Sequence, residues 1–338
     1  MKLGLRIAAF LLALAFLALT FVDASWLAPS PRGYVRLVAS KGLHQIGVGR
    51  CTAKAIEPPL HEFLENTVAG AVAAGRSGAQ MVSLDLQMTS DGHLVLLGEP
   101  DLACRTSGQG MVGEHTLAEL TALDAGHGYT PDGGRSFPFR GHAVGAIPAL
   151  EEVLTALPEK PLLFDLPADP RAGAQLVATL QAAGRDPLKV GDAFRGLKAD
   201  LAPIAKAWPK AWLWDRTRAA ECTAAYRWQG WFGITPQACA GQTIVVPGDS
   251  AWLFAGWPNR LQARMAEVGA RTVMTGPAGA GLILPEQIRA IPASYTGYVM
   301  VEDIWSVGPA VREGFNKRNP RQEEELAATL ERRRKALN

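Results

Sequence analysis

The stretch Met81–Thr106, MVSLDLQMTSDGHLVLLGEPDLACRT, decides the fold. Its apolar residues at positions 82, 84 and 86 alternate with polar ones, which is the period of two of a half-buried strand. Asp91-Gly92 is a turn dipeptide, and the short apolar run Leu94–Leu97 is typical of a fully buried strand. The stretch therefore predicts a strand, a turn and a second strand.

Four residues lie toward the ends of these two predicted strands. Ser83 and Asp85 project from one face of the first strand, and Gly98 and Glu99 follow the second. In a barrel of parallel strands, the residues at the carboxyl ends of the strands form the rim that carries the active site. These four positions are therefore candidate site residues.

Seven further segments have the apolar character and the flanking turn residues of strands. They are Arg36–Ser40, Pro161–Leu166, Leu188–Gly191, Ala211–Trp214, Thr243–Val246, Thr272–Thr275 and Tyr298–Val301. Together with the first two they give nine candidate strands for the eight places of a (β/α)8 barrel. One of the nine must lie outside the barrel, and the sequence leaves open which one.

Helix starts are marked by residues whose side chains accept backbone N–H bonds. Asn66 or Thr67 is expected to cap an Ala-rich helix that begins at Val68, and Thr116 and Glu119 have the spacing of a capping box. Asn259, after Pro258, is a candidate N-cap of a later helix.

The order of these motifs resembles the glycerophosphodiester phosphodiesterase family. That family shows Glu-Leu-Asp on the first motif strand, a Lys-Asp-Gly turn and His-Asp after the second strand. Here the same frame reads Ser83-Leu84-Asp85, Ser90-Asp91-Gly92 and Gly98-Glu99, and the family's His-Arg-Gly is replaced by Ser40-Lys41-Gly42. Three other matching segments follow the family's order: Glu65-Asn66-Thr67, Arg105-Thr106-Ser107-Gly108 and Ile147-Pro148-Ala149-Leu150-Glu151-Glu152-Val153-Leu154.

The resemblance, dense from Leu37 to Leu154, implies an α/β protein with a TIM-type (β/α)8 barrel preceded by an N-terminal hydrophobic helix. We expect a signal peptide or membrane anchor over residues 1–24 and a linker over 25–35. The barrel is expected over residues 36–320, and residues 321–338 are expected to form a charged, solvated helix or tail.

The same resemblance assigns catalytic roles, and two of them fall on substituted positions. In the family two histidines act as general base and general acid, and Ser40 and Gly98 stand in their places. Neither residue transfers a proton near neutral pH, so hydrolysis is expected to be impaired or lost. His44 and Glu99 are the candidates to substitute for the missing histidines.

The family's divalent cation is held by three carboxylates, and this chain keeps two of them. Ser83, Asp85 and Asp165 occupy the three positions. Hard cations such as Ca²⁺ and Mg²⁺ need several oxygen ligands and benefit from carboxylate charge. Two carboxylates and one hydroxyl therefore predict weak or absent binding of one such cation.

The resemblance further implies that Lys41 and Arg105 contact a phosphate, with Glu65 orienting Lys41. The expected partner is a glycerophosphodiester or a phospholipid headgroup. The formal net charge of +2 argues against nucleic acid as a partner.

The N-terminal segment has the pattern of an export signal or an anchor. Lys2 and Arg6 precede sixteen residues, Ile7–Val22, that carry no charge. As a helix this run is about 24 Å long, the short limit for a bilayer core of about 30 Å. A retained anchor is slightly favoured over cleavage near Val22-Asp23-Ala24. Either way the positive-inside rule places the rest of the chain across the membrane, in a bacterial cell envelope, on the periplasmic or extracytoplasmic side.

Four cysteines suit such a compartment. Cys51 and Cys104 both follow candidate strands, and Cys222 and Cys239 lie close together in one irregular segment. We expect the pairs Cys51–Cys104 and Cys222–Cys239 out of the three possible pairings.

Three functional hypotheses follow. The first is an impaired or inactive family member that still binds a phosphodiester or a headgroup. The second is an active, metal-dependent phosphodiesterase that uses substitute residues such as His44 and Glu99. The third is a structural envelope protein without a ligand.

Overall fold

The computed structural model describes residues 2–311, 314 and 318–337; Met1, Asn338 and the rest of 312–317 lie outside the described residues. The chain divides into two compact units. The small unit comprises Met1–Arg36, Asp215–Ala280 and Arg289–Val299. The large unit comprises Leu37–Trp214, Gly281–Ile288 and Met300–Asn338.

The strands are β1 Arg36–Ala39, β2 Met81–Met88, β3 Leu94–Leu96, β4 Leu162–Asp165, β5 Ala193–Gly196, β6 Trp212–Asp215, β7 Thr243–Pro247, β8 Arg271–Thr275 and β9 Tyr298–Val301. The strand order is β6-β5-β4-β2-β1-β9-β8-β7, with β3 paired to β2 off this path. The β1–β2, β2–β4, β4–β5, β7–β8 and β8–β9 pairs are parallel. The eight strands of this path form a TIM-type (β/α)8 barrel, as predicted.

The α-helices are α1 Lys2–Asp23, α2 Val68–Arg76, α3 Leu117–Thr121, α4 Leu150–Ala156, α5 Ala172–Ala182, α6 Pro187–Val190, α7 Lys198–Ala207, α8 Arg216–Gln229, α9 Asn259–Glu267, α10 Ile304–Val311 and α11 Pro320–Leu337. Short 3-10 helices lie at Ser25–Leu27, Thr52–Ala55, Leu102–Cys104, Val112–Glu114, Gly230–Phe232, Gln237–Cys239, Gly248–Leu253, Pro277–Gly279 and Pro285–Ala290.

The ninth candidate strand is β3, and it lies outside the barrel. It turns back at Asp91-Gly92 and pairs antiparallel with the last residues of β2, so that Leu96 faces Leu86. Gly98 therefore does not follow a barrel strand, contrary to what the opening stretch suggested. The hairpin nevertheless returns it to the carboxyl end of β2, because the Leu97 N–H donates to the Asp85 carbonyl at 3.1 Å.

One predicted strand is wrong. Leu188–Gly191 was expected to be a strand, but Pro187–Val190 forms α6 and the strand is Ala193–Gly196. Asp186 caps this helix by accepting the Leu188 N–H, Pro187 occupies its first turn, and Gly191 ends it in a left-handed conformation. These are the usual start and stop signals of a helix, and they override the apolar pattern.

The predicted helix caps are confirmed in two cases of three. The Thr67 hydroxyl accepts the Gly70 N–H at the start of α2, and Thr116 and Glu119 form the capping box of α3. Pro258 holds the N-cap position of α9, so Asn259 is the first helical residue rather than the cap.

The C-terminal helix α11 is not solvated on all sides, contrary to the expected solvated tail. Leu326 and Leu330 are buried in a cluster with Leu284. Arg333, also buried, donates to the Asp303 carboxylate at 2.6 Å. This face therefore belongs to the core of the large unit.

Both predicted disulfides are present. Cys51–Cys104 has a Cα–Cα distance of 5.6 Å and lies in the large unit, and Cys222–Cys239 has a Cα–Cα distance of 4.6 Å and lies in the small unit. Such bonds are typical of proteins in oxidising compartments. In the described part of the chain one helix, Gly4–Asp23, is long and apolar enough to cross a membrane, as a signal sequence or an anchor would be.

Candidate active site

A row of charged side chains lies at the carboxyl ends of neighbouring strands in the large unit. Asp85 of β2 is in register with Asp165 of β4, which is in register with Arg195 of β5. On the other side of β2, the turn after β1 carries Lys41 and the end of β9 leads to Glu302. We call these five residues the rim row. The sequence predicted the first two and Lys41, and it missed Arg195 and Glu302 as site residues.

Arg195 pairs with one of the two carboxylates expected to hold a metal. Its Nη2 forms a salt bridge with Asp165 Oδ2, and its Nε is buried without a hydrogen-bond partner among the described residues. Burial lowers the pKa of Arg195, but the carboxylates of Asp165, Asp85 and Glu302 outweigh this and raise it. Arg195 is therefore a permanent cation surrounded by carboxylates.

Asp85 is held by Asn66, a residue that the sequence indicated only as a helix cap. Asn66 Nδ2 donates to Asp85 Oδ2 at 3.1 Å, and the Asp85 N–H donates to Asn66 Oδ1 at 2.9 Å. Burial and the nearby charge of Asp165 raise the pKa of Asp85, while Lys41, Asn66 and Arg195 lower it, and the net direction is upward. The two hydrogen bonds with Asn66 therefore orient Asp85.

These residues do not fit a divalent cation. Ser83 is buried and offers only a hydroxyl, Asp165 is bound to Arg195, and the pKa of Asp85 is raised. The part of the chain that the structure describes contains no group of three or more His, Cys, Asp or Glu residues placed to hold a metal ion. Ca²⁺ takes six to eight oxygen ligands and Mg²⁺ takes six, so the remaining set is too small. The arginine supplies positive charge beside these carboxylates instead.

Gly98 and Ser40 lie in the site, where the resemblance places the two histidines. A β-carbon on Gly98 would stand 3.2 Å from Asp85 Oδ2 and 3.5 Å from Asn66 Nδ2, so this backbone lies directly against the rim row. The Ser40 hydroxyl hydrogen-bonds to Glu302 and lowers the pKa of that carboxyl. Neither position supplies a group that titrates near neutral pH.

His44, a proposed substitute, is inside the site but is committed to Glu302. Its Nε2 lies 3.2 Å from Glu302 Oε1, and its side chain is 4% exposed. Burial lowers the pKa of His44, but the hydrogen bond and the charge of Glu302 outweigh this and raise it. Burial likewise raises the pKa of Glu302, while His44, Lys41 and Ser40 bring it down to about 2. The pair therefore favours the charged form of His44, and an imidazolium is a poor general base.

Arg105, predicted to contact phosphate, is the centre of a closed network. It is 2% exposed. Its Nε donates to Glu99 Oε2 at 2.5 Å and its Nη2 donates to Glu99 Oε1. Both carboxylate oxygens of Glu99 are therefore bound by Arg105. Its Nη1 donates to Glu65 and to the Tyr129 hydroxyl, which itself donates to Glu65. Glu65 was expected to pair with Lys41 and pairs with Arg105 instead. We call Arg105, Glu65, Glu99 and Tyr129 the Arg105 network.

Lys41 is the cation of the site that no carboxylate binds directly. Its ammonium makes no hydrogen bond or ion pair within the described ranges, although the charges of Asp85, Glu65 and Glu302 raise its pKa against the lowering effect of burial. Its φ of 56° and the φ of 55° at Asn66 are left-handed, and the Asn66 N–H donates to the Lys41 carbonyl at 2.9 Å. Such angles are costly for residues with a β-carbon and cluster at functional sites.

A part of the chain that includes Asp85 and Asp165 of the rim row matches a known family. Residues 58–184 match the model of the Glycerophosphoryl diester phosphodiesterase family. The uncharacterized protein Rv2277c of Mycobacterium tuberculosis is 38% identical over 130 residues, which are 37% of this chain and 43% of that protein. A glycerophosphodiester phosphodiesterase of Caldanaerobacter subterraneus is 36% identical over 102 residues, 30% of this chain and 38% of the relative. The chain thus spans less than half the length of these curated relatives.

Solved structures share the fold over most of the chain. A glycerophosphodiester phosphodiesterase from Agrobacterium tumefaciens aligns with a TM-score of 0.56 at 18% identity, over 83% of this chain and all of that one. The phosphodiesterase domain of Rv2277c aligns with a TM-score of 0.57 at 19% identity, over 82% and 98%. An Oleispira antarctica phosphodiesterase in complex with the product sn-glycerol-3-phosphate aligns with a TM-score of 0.55 at 17% identity, over 85% and 99%.

Proposed function

We propose that the barrel of this chain binds a glycerophosphodiester or a phospholipid headgroup, with hydrolysis impaired or lost. The match of residues 58–184 to the Glycerophosphoryl diester phosphodiesterase family supports this proposal. The observation that carries the proposal is the salt bridge between Arg195 and Asp165. It places a fixed cation beside the carboxylates that the family uses for its metal.

The lack of side chains suited to proton transfer supports the proposal that hydrolysis is impaired or lost. General acids and bases each contribute typically ~10²–10⁴-fold to a rate. Ser40 and Gly98 supply neither, and the ion pair with Glu302 raises the pKa of His44, which makes it a weaker general base. Glu99 is bound by two nitrogens of Arg105, so it is committed to that arginine rather than to a substrate.

The positive charges of Lys41 and Arg195 support the proposal that the barrel binds a phosphate-containing ligand. Lys41 and Arg195 both interact electrostatically with Asp85 and Glu302, so the same carboxylates influence both cations. A phosphate oxygen is an acceptor for the ammonium of Lys41 and for the guanidinium of Arg195, whose side chain is 24% exposed. Such a site needs no divalent cation.

The compartment is part of the proposal. The two disulfides are typical of an oxidising environment, and the basic residues Lys2 and Arg6 before the apolar helix favour a cytoplasmic N-terminus. We place the barrel on the extracytoplasmic side of a bacterial membrane, where phospholipid headgroups and their deacylated products are at hand.

Turnover is the first test. The purified full chain is incubated with sn-glycero-3-phosphocholine, with Ca²⁺ and separately with chelator, and release of glycerol 3-phosphate is followed beside the Bacillus subtilis glycerophosphodiester phosphodiesterase as the active control. We expect no turnover above background in either condition. Metal-dependent turnover that disappears in Asp85→Ala would refute the impaired-catalysis half and favour the alternative that uses His44.

Binding is the second test, measured by calorimetric titration of the full chain with sn-glycerol 3-phosphate in the presence of chelator. We expect heat of binding that is lost in Lys41→Ala and kept in Lys189→Ala, a lysine on the exposed side of α6. Absence of binding at millimolar ligand would instead support a structural envelope protein without a ligand.

A further inference from the structure

The small unit contains an aromatic surface next to the apolar helix α1. The helix segment Gly4–Asp23 is 20 residues long and about 30 Å in length, which matches the hydrocarbon core of a bilayer. None of its most apolar 18-residue window is buried against the protein. Most of the apolar surface of the segment is therefore left uncovered by the part of the chain that the structure describes.

The carboxyl end of α1 is bonded into the small unit. Arg264 Nη2 lies 2.9 Å from Asp23 Oδ1, and both side chains are less than a tenth exposed. The Asn259 N–H donates to the Ser25 hydroxyl at 3.0 Å. A β-carbon on Gly233 would stand 2.9 Å from Val22 Cγ1, so the 3-10 helix Gly230–Phe232 approaches the end of α1 closely. Cleavage after Ala24 would remove Asp23 and leave the buried Arg264 without its carboxylate.

Four large aromatic side chains surround this junction, and we call them the aromatic collar. Trp26 is 74% exposed, Trp252 is 71%, Phe232 is 66% and Trp231 is 43%. Together with Phe16 and Leu19 of α1 they line a cleft of about 710 Å³. The Trp231 indole N–H donates to the Leu253 carbonyl at 3.2 Å, so its polar group is satisfied within the unit.

Exposed tryptophan at this density is costly in water, because each ring carries a large apolar area. Tryptophan is enriched where a protein crosses from hydrocarbon to headgroups, since its ring is apolar and its N–H is polar. The collar lies at the end of a helix that has the length of the hydrocarbon core. It is therefore at the depth of the headgroups when the helix spans the bilayer.

We propose that α1 is retained as a membrane anchor and that the collar of Trp26, Trp231, Phe232 and Trp252 is a second membrane contact, which rests in the interfacial layer of the outer leaflet. The occupant of the cleft is lipid, because the cleft wall is continuous with the lipid-facing side of α1. This contact is independent of phosphodiester binding in the large unit.

Tryptophan quenching by brominated lipid tests the proposal without interference from the anchor, because Lys2–Asp23 contains no tryptophan. The full chain is reconstituted in vesicles of phosphatidylethanolamine and phosphatidylglycerol, with or without acyl-brominated phosphatidylcholine. Three of the nine tryptophans are in the collar, so we expect brominated vesicles to remove about a third of the emission, as interfacial rings come within reach of acyl chains. The triple substitution Trp26→Leu, Trp231→Leu and Trp252→Leu is expected to remove most of this quenching and to leave only the part that comes from Trp257, which also lines the cleft.

Two controls keep the result interpretable. Trp212→Phe changes a tryptophan of the large unit that stacks on Trp214, and quenching should persist in it. The single substitution Trp252→Leu, with circular dichroism to verify folding, should lower quenching in part even if the triple variant unfolds.

Equal emission from brominated and plain vesicles, in protein that co-sediments with them, would overturn the collar contact. So would a detergent-solubilised dimer that the triple variant dissociates, since a second copy would then cover the collar. An intact mass of membrane-purified protein that lacks residues 1–24 would overturn retention of the anchor.

Discussion

Two arginines in the large unit lie near the same strand ends and are held in opposite ways. Arg105 is almost completely buried and donates to Glu99, Glu65 and Tyr129. Arg195 is 24% exposed in its side chain, pairs with Asp165, and keeps its Nε without a partner among the described residues. A buried arginine whose three nitrogens all donate is a structural element. A partly exposed arginine near a lysine that has no ion pair among the described residues is better placed to meet a ligand. The family resemblance assigned the phosphate contact to Lys41 and Arg105, and we propose Arg195 in place of Arg105.

Removal of Arg105 should have the largest effect on stability. Arg105→Ala removes the cation that donates to both Glu65 and Glu99. Breaking a buried ion pair on one side costs about 3–5 kcal/mol. Urea unfolding of the full chain measures the loss. Arg171→Ala, which removes an exposed ion pair with Asp169, is the matched control and should change the midpoint little. Equal losses in the two variants would contradict a structural role for the network.

The same network predicts how stability depends on pH. Burial raises the pKa of Glu65, but Arg105, His44, Tyr129 and Lys41 outweigh it and bring the pKa to about 2, from 4.5 in the unfolded chain. The stabilisation from this ionised group is therefore complete above pH 4.5 and is lost as pH falls toward 2. The linkage relation gives a contribution of about 3 kcal/mol.

Glu65→Gln tests this dependence, since the amide cannot titrate. Unfolding free energies measured across the window from 4.5 down to 2 should fall with a shallower slope in the variant than in the native chain. Glu151→Gln, on the exposed side of α4, should keep the native slope. An unchanged slope in Glu65→Gln would mean that other carboxylates carry the acid sensitivity.

The salt bridge between Arg195 and Asp165 leads to a prediction about the binding of a divalent cation. Arg195→Ala removes the cation that binds Asp165 and leaves Asp85 and Asp165 as adjacent carboxylates. Ca²⁺ should then stabilise the variant, by about 1.4 kcal/mol at ten times its dissociation constant, while the native chain gains nothing. Thermal unfolding with and without Ca²⁺ measures the difference.

Arg76→Ala, at an exposed position on α2, is the control and should stay insensitive to Ca²⁺. Stabilisation of the native chain by Ca²⁺ would show that the arginine does not exclude the ion. The same logic applies to a revertant: Ser40→His, Ser83→Glu and Gly98→His together should regain metal-dependent hydrolysis only when Arg195 is also replaced.

The sequence predicted the strands and the disulfides of the large unit, but it did not predict the partners of Arg105 and Arg195. Alternation in β2 and the cysteine spacing are local or framework signals, and they placed Asp85 at a strand end and both disulfides correctly. Gly98 reaches the site through the β3 hairpin rather than from a barrel strand. Arg195 was missed because its strand was assigned five residues too early, so its register with Asp165 was invisible. The His44–Glu302 pair joins residues 258 positions apart. Which arginine binds which carboxylate is decided by tertiary packing, and no spacing in the chain encodes it.

The smallest effect concerns Lys41, where stability and binding should separate. Its left-handed φ of 56° is disfavoured for any residue with a β-carbon, and glycine adopts such angles freely. Lys41→Gly should therefore stabilise the chain by about 1 kcal/mol, whereas Lys41→Ala keeps the strained backbone and gains nothing from its relief. Both variants lose the ammonium, so both should lose binding of sn-glycerol 3-phosphate. Urea unfolding and calorimetric titration of the same samples separate the two effects.

A glycine variant that is no more stable and that still binds would show that Lys41 is merely a turn residue. The anion site would then depend on Arg195 alone.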